Sequence, residues 1–405
     1  MKTIILIMSV LFIANLVYSA EIDVDYSEWT CDPVPYFYSN NRLSTVAAGR
    51  GYTGVADSGD LSLSTINPAS FYNEKKFQFY FEYSTKNDAI WLEGYADYAE
   101  FKKNKSGNIL GFGVSLDNFQ GGLFYAKPRS YKYALKQYYY DYFYNEVRSS
   151  VLTAEHSQGS FVLPLNYYID DFARIGVSLD VSKYISTKPT VMYYPNGGVT
   201  IVDGSVEFFL GRAKYGVVFF PEENYSFGIS FLPEVKKVIF TDYGSAGQYK
   251  HAENSFPMEL TVGAKYNPHF LMFKRFTAFL DYKFSNNSVY EEVINRNDFH
   301  IGLEFKPNSR LIIRTGFFTQ NDYRDMNATY IQEDQYGVEQ EYHFWPEGTS
   351  IDENFVTLGT SYILKTLKFN IAYMNGSMLS TGDLKQHYFN LGFEMNFDNP
   401  NKTKQ

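Results

Sequence analysis

HYFNLGFEMNF, residues 387–397, sets apolar and aromatic side chains at Phe389, Leu391, Phe393, Met395 and Phe397 against Asn390, Gly392, Glu394 and Asn396 on the alternate positions. Strict period-two alternation over this length matches a tilted membrane-crossing strand, which needs about 9–11 residues. A half-buried strand of a soluble sheet alternates as well, so the fold rests on how often the pattern recurs.

It recurs along the chain. Residues 299–306 set Phe299, Ile301, Leu303 and Phe305 against His300, Gly302, Glu304 and Lys306. Residues 367–374 set Leu367, Phe369, Ile371 and Tyr373 against Lys368, Asn370, Ala372 and Met374, and 172–182, 258–266 and 311–319 behave alike. Charges share one face with a mid-strand glycine in most cases, and the other face stays apolar. In a membrane barrel the apolar face meets lipid and the polar face the lumen.

Fourteen strands are predicted, near 77–84, 89–101, 109–127, 159–169, 172–186, 204–220, 224–241, 255–266, 275–285, 298–306, 310–320, 354–363, 366–376 and 386–397. Short connections at 170–171, 221–224, 267–274, 307–309 and near 365 alternate with long ones, as the two rims of a barrel require. The parity holds only if 109–127 is one strand. Asp117, Asn118, Gly121 and Gly122 break its alternation, which predicts a bulge or kink in the third strand. A plain hairpin turn at 117–118 is the competing reading and would give fifteen.

Aromatic residues make up 19% of the 405, with 37 Tyr and 36 Phe against 3 Trp. Tyr and Phe favour strands and form the interfacial girdles of membrane barrels. After residue 20 no window is long and apolar enough for a membrane helix. Residues 1–19 have a basic start, an apolar run and small residues near Ser19, the pattern of a cleaved secretory signal. A barrel over 76–397 and a periplasmic tail over 398–405 follow, with outer-membrane placement and lipid as a partner. Cys31 is the single cysteine, so no intrachain disulfide forms. The formal net charge of -9 argues against nucleic acid as a partner. Six His at 156, 251, 269, 300, 343 and 387 show no metal-ligand spacing, and there is no nucleophile-elbow motif. The expectation is a non-enzyme with no metal and no cofactor.

Residues 20–75 precede the first strand and lack alternation. They are either an irregular linker or a plug folded into the lumen; glycines on the inner face suit a lumen filled by a plug or a ligand. Tyr138, Tyr139, Tyr142 and Phe143, within 130–156, are candidates for an outer groove, set against an aromatic belt with a solvated loop. Arg174, Lys265 and Arg314 are candidates for a ligand headgroup, set against a lumenal lattice of ion pairs with Asp180, Glu259, Asp281, Glu304 and Glu394.

Residues 48–71, with Ala56-Asp57, Asp60 and Asn67-Pro68-Ala69, resemble the amino-terminal hatch of the FadL/TodX outer-membrane transporters. Residues 224–235, 256–268, 300–318 and the final strand resemble later parts of that family. Asp57-Ser58-Gly59-Asp60 and Ser70 depart from its commoner pattern. The resemblance implies an all-β, 14-stranded antiparallel transmembrane barrel with an N-terminal lumenal hatch, built as a monomer. It also implies a hydrophobic or fatty-acid ligand that crosses an apolar pocket between hatch and wall and leaves sideways at the third strand, with Asn67, Pro68 and Ala69 as the hatch motif. The alternative function is a plugged-barrel binding or assembly protein of a secretion or surface-anchoring system, which has a protein partner.

Overall fold

A computed structural model of the chain describes residues 42–72, 76–87, 98–101, 104–116, 118–140, 146–169, 172–187, 190–194, 197–202, 205–222, 224–243, 248–268, 275–286, 294–322, 325–333, 339–343, 352–380 and 386–397. The expected signal, the C-terminal tail and Cys31 lie outside them. Fourteen antiparallel strands close on themselves: β1 Phe77–Asn87, β2 Asn104–Leu116, β3 Phe119–Tyr140, β4 Glu146–Ile169, β5 Ala173–Thr187, β6 Ser205–Glu222 and β7 Tyr225–Leu232 form one half. β8 Met258–Tyr266, β9 Phe276–Asn286, β10 Arg296–Phe305, β11 Leu311–Gln320, β12 Glu353–Leu364, β13 Leu367–Asn375 and β14 His387–Phe397 form the other. Closure is made by the strand whose alternation opened the reading: β14 pairs with β1 from Phe77↔Phe397 to Asn87↔His387. With every barrel strand paired on both sides, the barrel has no open edge to satisfy in lipid.

The faces divide as alternation requires. Phe299, Ile301 and Leu303 are 52%, 49% and 46% exposed, whereas His300 and Glu304 between them are 5% and 6%. The same belt continues through Phe369, Ile371, Tyr373, Phe389 and Leu391, all exposed outward. A continuous exposed band of large apolar side chains is the surface of a protein solvated by lipid.

Two expected boundaries are corrected, and they cancel in the count. Of the strand expected at 89–101, the described part, Tyr98–Phe101, pairs with β3 at Tyr133–Lys136, away from the β1–β2 ladder, and residues 89–97 lie outside the described residues. Residues 109–127 are two strands, because Leu116 pairs with Phe119 across a two-residue turn. Asp117 lies outside the described residues; Asn118 sits in the turn, and its carbonyl accepts from Tyr168 N at 2.8 Å. Asx residues in tight turns explain why the hairpin reading wins over a kink inside one strand. Gly121 and Gly122 therefore open β3, the third barrel strand. The β3–β4 ladder passes from Gly121↔Leu165 to Phe124↔Val162 without pairing at Gly122 or Leu123. Pro164, which the register sets opposite Gly122, has no N–H to give.

The long connections also hold more structure than alternation indicated. β3 and β4 run 22 and 24 residues, roughly 70 Å or more of extended chain, and so pass well beyond one rim. Thr190–Tyr193 pairs with β4 there and with Val199–Val202. Val235–Tyr243 with Gln248–Phe256, and Thr329–Glu333 with Glu339–His343, form separate hairpins.

Candidate functional site: the hatch and the lumenal cavity

Residues 42–72 lie inside the barrel, almost all of them buried. Their helical pieces are too short to be stable alone: α1 spans Thr45–Ala48, and 3-10 turns span Leu61–Thr65 and Pro68–Ser70. Each begins at a residue whose side chain accepts from the first turn, namely Ser44, Asp60 and Asn67.

The wall supplies what these pieces lack. Glu82 Oε2 accepts from Thr45 N at 2.6 Å and Thr45 Oγ1 at 2.9 Å. Asp281 Oδ2 accepts from Gly54 N at 2.7 Å and Val55 N at 3.0 Å, and Gln78 Oε1 accepts from Leu61 N at 2.7 Å. In the other direction Asn166 Nδ2 donates to the Phe71 carbonyl at 2.6 Å, Lys214 Nζ to that of Thr65 at 2.6 Å, and Ser226 Oγ to that of Ala56 at 2.7 Å. Hatch backbone that forms no ladder of its own is thus satisfied by wall side chains at sequence separations of 17 to 227 residues, across the lumen.

Inward glycines let the two backbones meet. A Cβ at Gly228 would land on the Val55 carbonyl, one at Gly302 on the Arg50 carbonyl and one at Gly316 on Gly51 N; at Gly359 it would lie 2.7 Å from Gly49 Cα. These glycines oppose one another across neighbouring strands, as Gly228↔Gly263 and Gly302↔Gly316. The mid-strand glycine on the polar face, visible in the sequence, therefore marks where the hatch presses on the wall.

The hatch motif sits on the same seam. Asn67 Oδ1 accepts from Ala69 N at 3.0 Å, while its Nδ2 donates to the Val55 carbonyl at 2.7 Å and to the β6 carbonyl of Val217 at 3.2 Å. Pro68 takes the first helical position, where its missing N–H costs nothing, and the Pro68–Ala69 backbone packs over Gly176.

Two of the three headgroup candidates belong to ion pairs. Lys265 Nζ lies 2.8 Å from Asp57 Oδ1 and Arg314 Nε 2.8 Å from Glu304 Oε2; Arg50 Nη1 completes the group at 2.6 Å from Asp57 Oδ2. Burial alone would raise the Asp57 carboxyl, but Arg50 and Lys265 outweigh it and hold the group below the usual carboxylate range. Arg174 is enclosed by the rings of Tyr72, Tyr168 and Phe220, with its Cζ 5.2, 5.2 and 4.8 Å from their centroids, and reaches Ser58 of the hatch. Its place is a clasp between hatch and wall.

Tyr138 and Tyr139 are strand residues of β3, paired with Ser149 and Arg148, and Tyr142 and Phe143 lie outside the described residues. A Tyr-rich run has the propensity of a strand, and nothing confines a strand to the bilayer's thickness.

A cavity of about 210 Å³ lies between the hatch and the wall toward the long-loop rim. Its basic residues are Arg42, Arg129, Arg212, Lys214, Lys283 and Arg296, and its acidic ones Asp180, Glu259, Asp281 and Asp298. Leu43, Val55, Ile66, Val162 and Leu232 form an apolar part of the lining. The cavity is amphipathic and charged, which departs from the apolar pocket expected. Sequence reasoning missed Arg212 and Lys214, although alternation through Gly216 places both on the lumenal face of β6. Beside it, Phe318, Phe355, Met374 and Tyr388 pack with Ala48 and Tyr52, and the Arg42 Cζ sits 4.9 Å from the Phe318 centroid. Burial pushes the Tyr52 hydroxyl up to about 12.

Closed ladder, lipid-facing belt and backbone-keyed insert together define a transmembrane β-barrel plugged by its own amino-terminal hatch. Solved structures of hydrocarbon transporters and a FadL homologue align with it. A Pseudomonas aeruginosa FadL homologue aligns at 13% identity and TM-score 0.57, covering 88% of this chain and 99% of that one. The Ralstonia pickettii toluene transporter TbuX aligns at 13% and 0.55 over 87% and 98%, and the P. putida toluene transporter TodX at 14% and 0.54 over 88% and 99%. The chain has the fold of these FadL/TodX channels. No protein-family model matches it, and no curated protein does.

Proposed function

We propose that the chain is an outer-membrane channel for hydrophobic or amphipathic compounds, fatty-acid-like in build, gated by the hatch at 42–72. The observation that carries this reading is the seam: backbone of the hatch laid on inward glycines and held by wall side chains, with an amphipathic cavity above it. The fold shared with toluene transporters and a FadL homologue supports it. Residues 1–19 act as the cleaved signal, the barrel works as a monomer, and the long-loop rim faces outward. Gly121 and Gly122 mark a sideways exit, supported by the missing ladder pairs at Gly122 and Leu123, opposite Pro164 and Leu163. An assembly role is the second reading, favoured by the length of β3 and β4 beyond the rim.

A tether tests the gate. Ser226 Oγ meets the Ala56 carbonyl at 2.7 Å, so in a Cys31→Ser background Ala56→Cys with Ser226→Cys is tested for disulfide formation by gel shift before transport is read. Uptake of a fluorescent fatty acid into proteoliposomes should stop on oxidation and return on reduction. Uptake indifferent to the tether would refute gating by this part of the hatch. No saturable uptake in the untethered protein would move the reading to the assembly role.

A further inference from the structure

The cavity between hatch and wall holds about 210 Å³, below the roughly 300–1,000 Å³ of a pocket that encloses a drug-sized ligand. It has room for the head of an amphipathic compound and not for a long chain. Its lining therefore selects by head chemistry.

A carboxylate head would meet cations that already have partners. Lys283 pairs with Glu259 at 2.9 Å and Arg296 with Asp298 at 2.5 Å. Lys214 Nζ donates to the Thr65 carbonyl at 2.6 Å, and Arg42 bonds Gln320 and faces the rings of Tyr52, Phe318 and Phe355. Arg129 and Arg212 have partners as well. Seating an anionic head breaks into one of these arrangements, and a buried charge that loses its partner is costly.

Hydroxyl groups in the same lining carry no such commitment. Ser160 of β4 and Ser182 of β5 are opposed in register with their Oγ atoms 2.7 Å apart; Gln158 Nε2 donates to Ser182 at 2.8 Å, and Ser182 donates to Asp180 at 2.6 Å. Ser178, Thr261 and Ser285 line the cavity and make no side-chain hydrogen bond among the described residues. Two lining residues, Gln158 and Arg42, are 1% and 7% exposed, and each has a buried atom with no hydrogen-bond partner: Oε1, an acceptor, and Nε, a donor. A carboxylate only accepts and an ammonium only donates, whereas a hydroxyl does both.

We propose that the cavity receives an uncharged, hydroxyl-bearing head of the glycerol type, held by Gln158, Ser160 and Ser178 of β4 and β5 and by Thr261 and Ser285 of β8 and β9. The inference rests on the channel reading and narrows its ligands from amphipaths in general to neutral, hydroxylated ones.

The probes are 1-octanoylglycerol and octanoate, which share one acyl chain and differ in the head. Each is titrated by calorimetry at about pH 7.5, where octanoate is ionised, into the full-length mature protein in phosphatidylcholine nanodiscs, with empty nanodiscs subtracted. Octanoylglycerol should bind at least about tenfold more tightly. Ser160→Ala with Ser178→Ala, checked for folding by heat-modifiable gel migration, should weaken octanoylglycerol about tenfold and leave octanoate unchanged. Octanoate binding as tightly as octanoylglycerol, or more tightly, would overturn the proposal and leave the channel reading in place. A double variant that weakens both probes alike, or neither, would overturn it too, because the hydroxyls would then not read the head. Saturable binding of neither probe would overturn the channel reading and the proposal with it.

Discussion

Gly228→Ala is the sharpest perturbation of the seam. The added methyl would land on the Val55 carbonyl and close to Ala56 Cα, which are backbone atoms and cannot swing aside as a side-chain tip does. Forcing a methylene into a packed interior costs about 1–3 kcal/mol, and the alternative is for the Val55–Ala56 strap to lift. Lifting it breaks the bonds from Gly54 N and Val55 N to Asp281 and from Ser226 to the Ala56 carbonyl, each worth about 1–3 kcal/mol when a buried partner is left unmade. The barrel itself keeps its β7–β8 pairing and its lipid-facing belt. The expected variant therefore folds, with normal heat-modifiable migration, yet shows raised conductance in planar bilayers and faster protease cleavage within 50–60. Gly159→Ala is the control: its Cβ would meet the ring end of the Tyr125 side chain and no hatch atom. Unchanged conductance and cleavage in Gly228→Ala, or the same response in Gly159→Ala, would refute a backbone-keyed hatch.

Asp281→Ala removes one acceptor shared by two hatch N–H groups and should lower the stability of the hatch, read by hydrogen exchange at Gly54 and Val55, by about 2–3 kcal/mol. Asp57 supplies a pH dependence: its folded carboxyl sits below its unfolded value near 3.9, so its pairing contributes fully above about pH 4 and fades as the pH falls below that. Asp57→Asn should lower the urea midpoint at neutral pH and flatten the acid limb of the midpoint-versus-pH curve; an unchanged acid limb would assign that limb to other groups.

Alternation exposed the barrel because lipid imposes one rule on every strand, apolar outward, and the rule leaves a period-two trace in β10, β13 and β14. It placed Gly302, Gly316 and Gly392 on the lumenal face and so signalled a filled lumen before the filling was known. It misplaced the early strands because the reversal between Leu116 and Phe119, at Asn118, joins strands that both carry small residues, where turn and bulge look alike. The cavity was illegible for a different reason. Arg129, Lys214 and Arg296 come together only through closure of the sheet, and their registers across β3, β6 and β10 are tertiary facts.

The energetics of the seam explain how one chain can be both rigid and gated. The barrel's hydrogen bonds are made between adjacent strands, and none of its ladders passes through the hatch. The hatch has no comparable ladder: its regular structure is a four-residue helix, two 3-10 turns and a parallel bridge between Gly59 and Phe71, and many of its other backbone groups bond wall side chains such as Glu82, Asp281 and Asn166. The hatch therefore depends on the wall for most of its bonds, while the wall's ladders are complete without it. A local opening of the hatch breaks a few side-chain bonds one at a time, at free energies well below global unfolding, while the wall stays closed against lipid. Covalent cross-links would have removed that separation, and a hatch with its own sheet would have made opening all-or-none. The glycines hold the two layers at backbone distance without adding side-chain packing, so the strap can leave and return along the same surface.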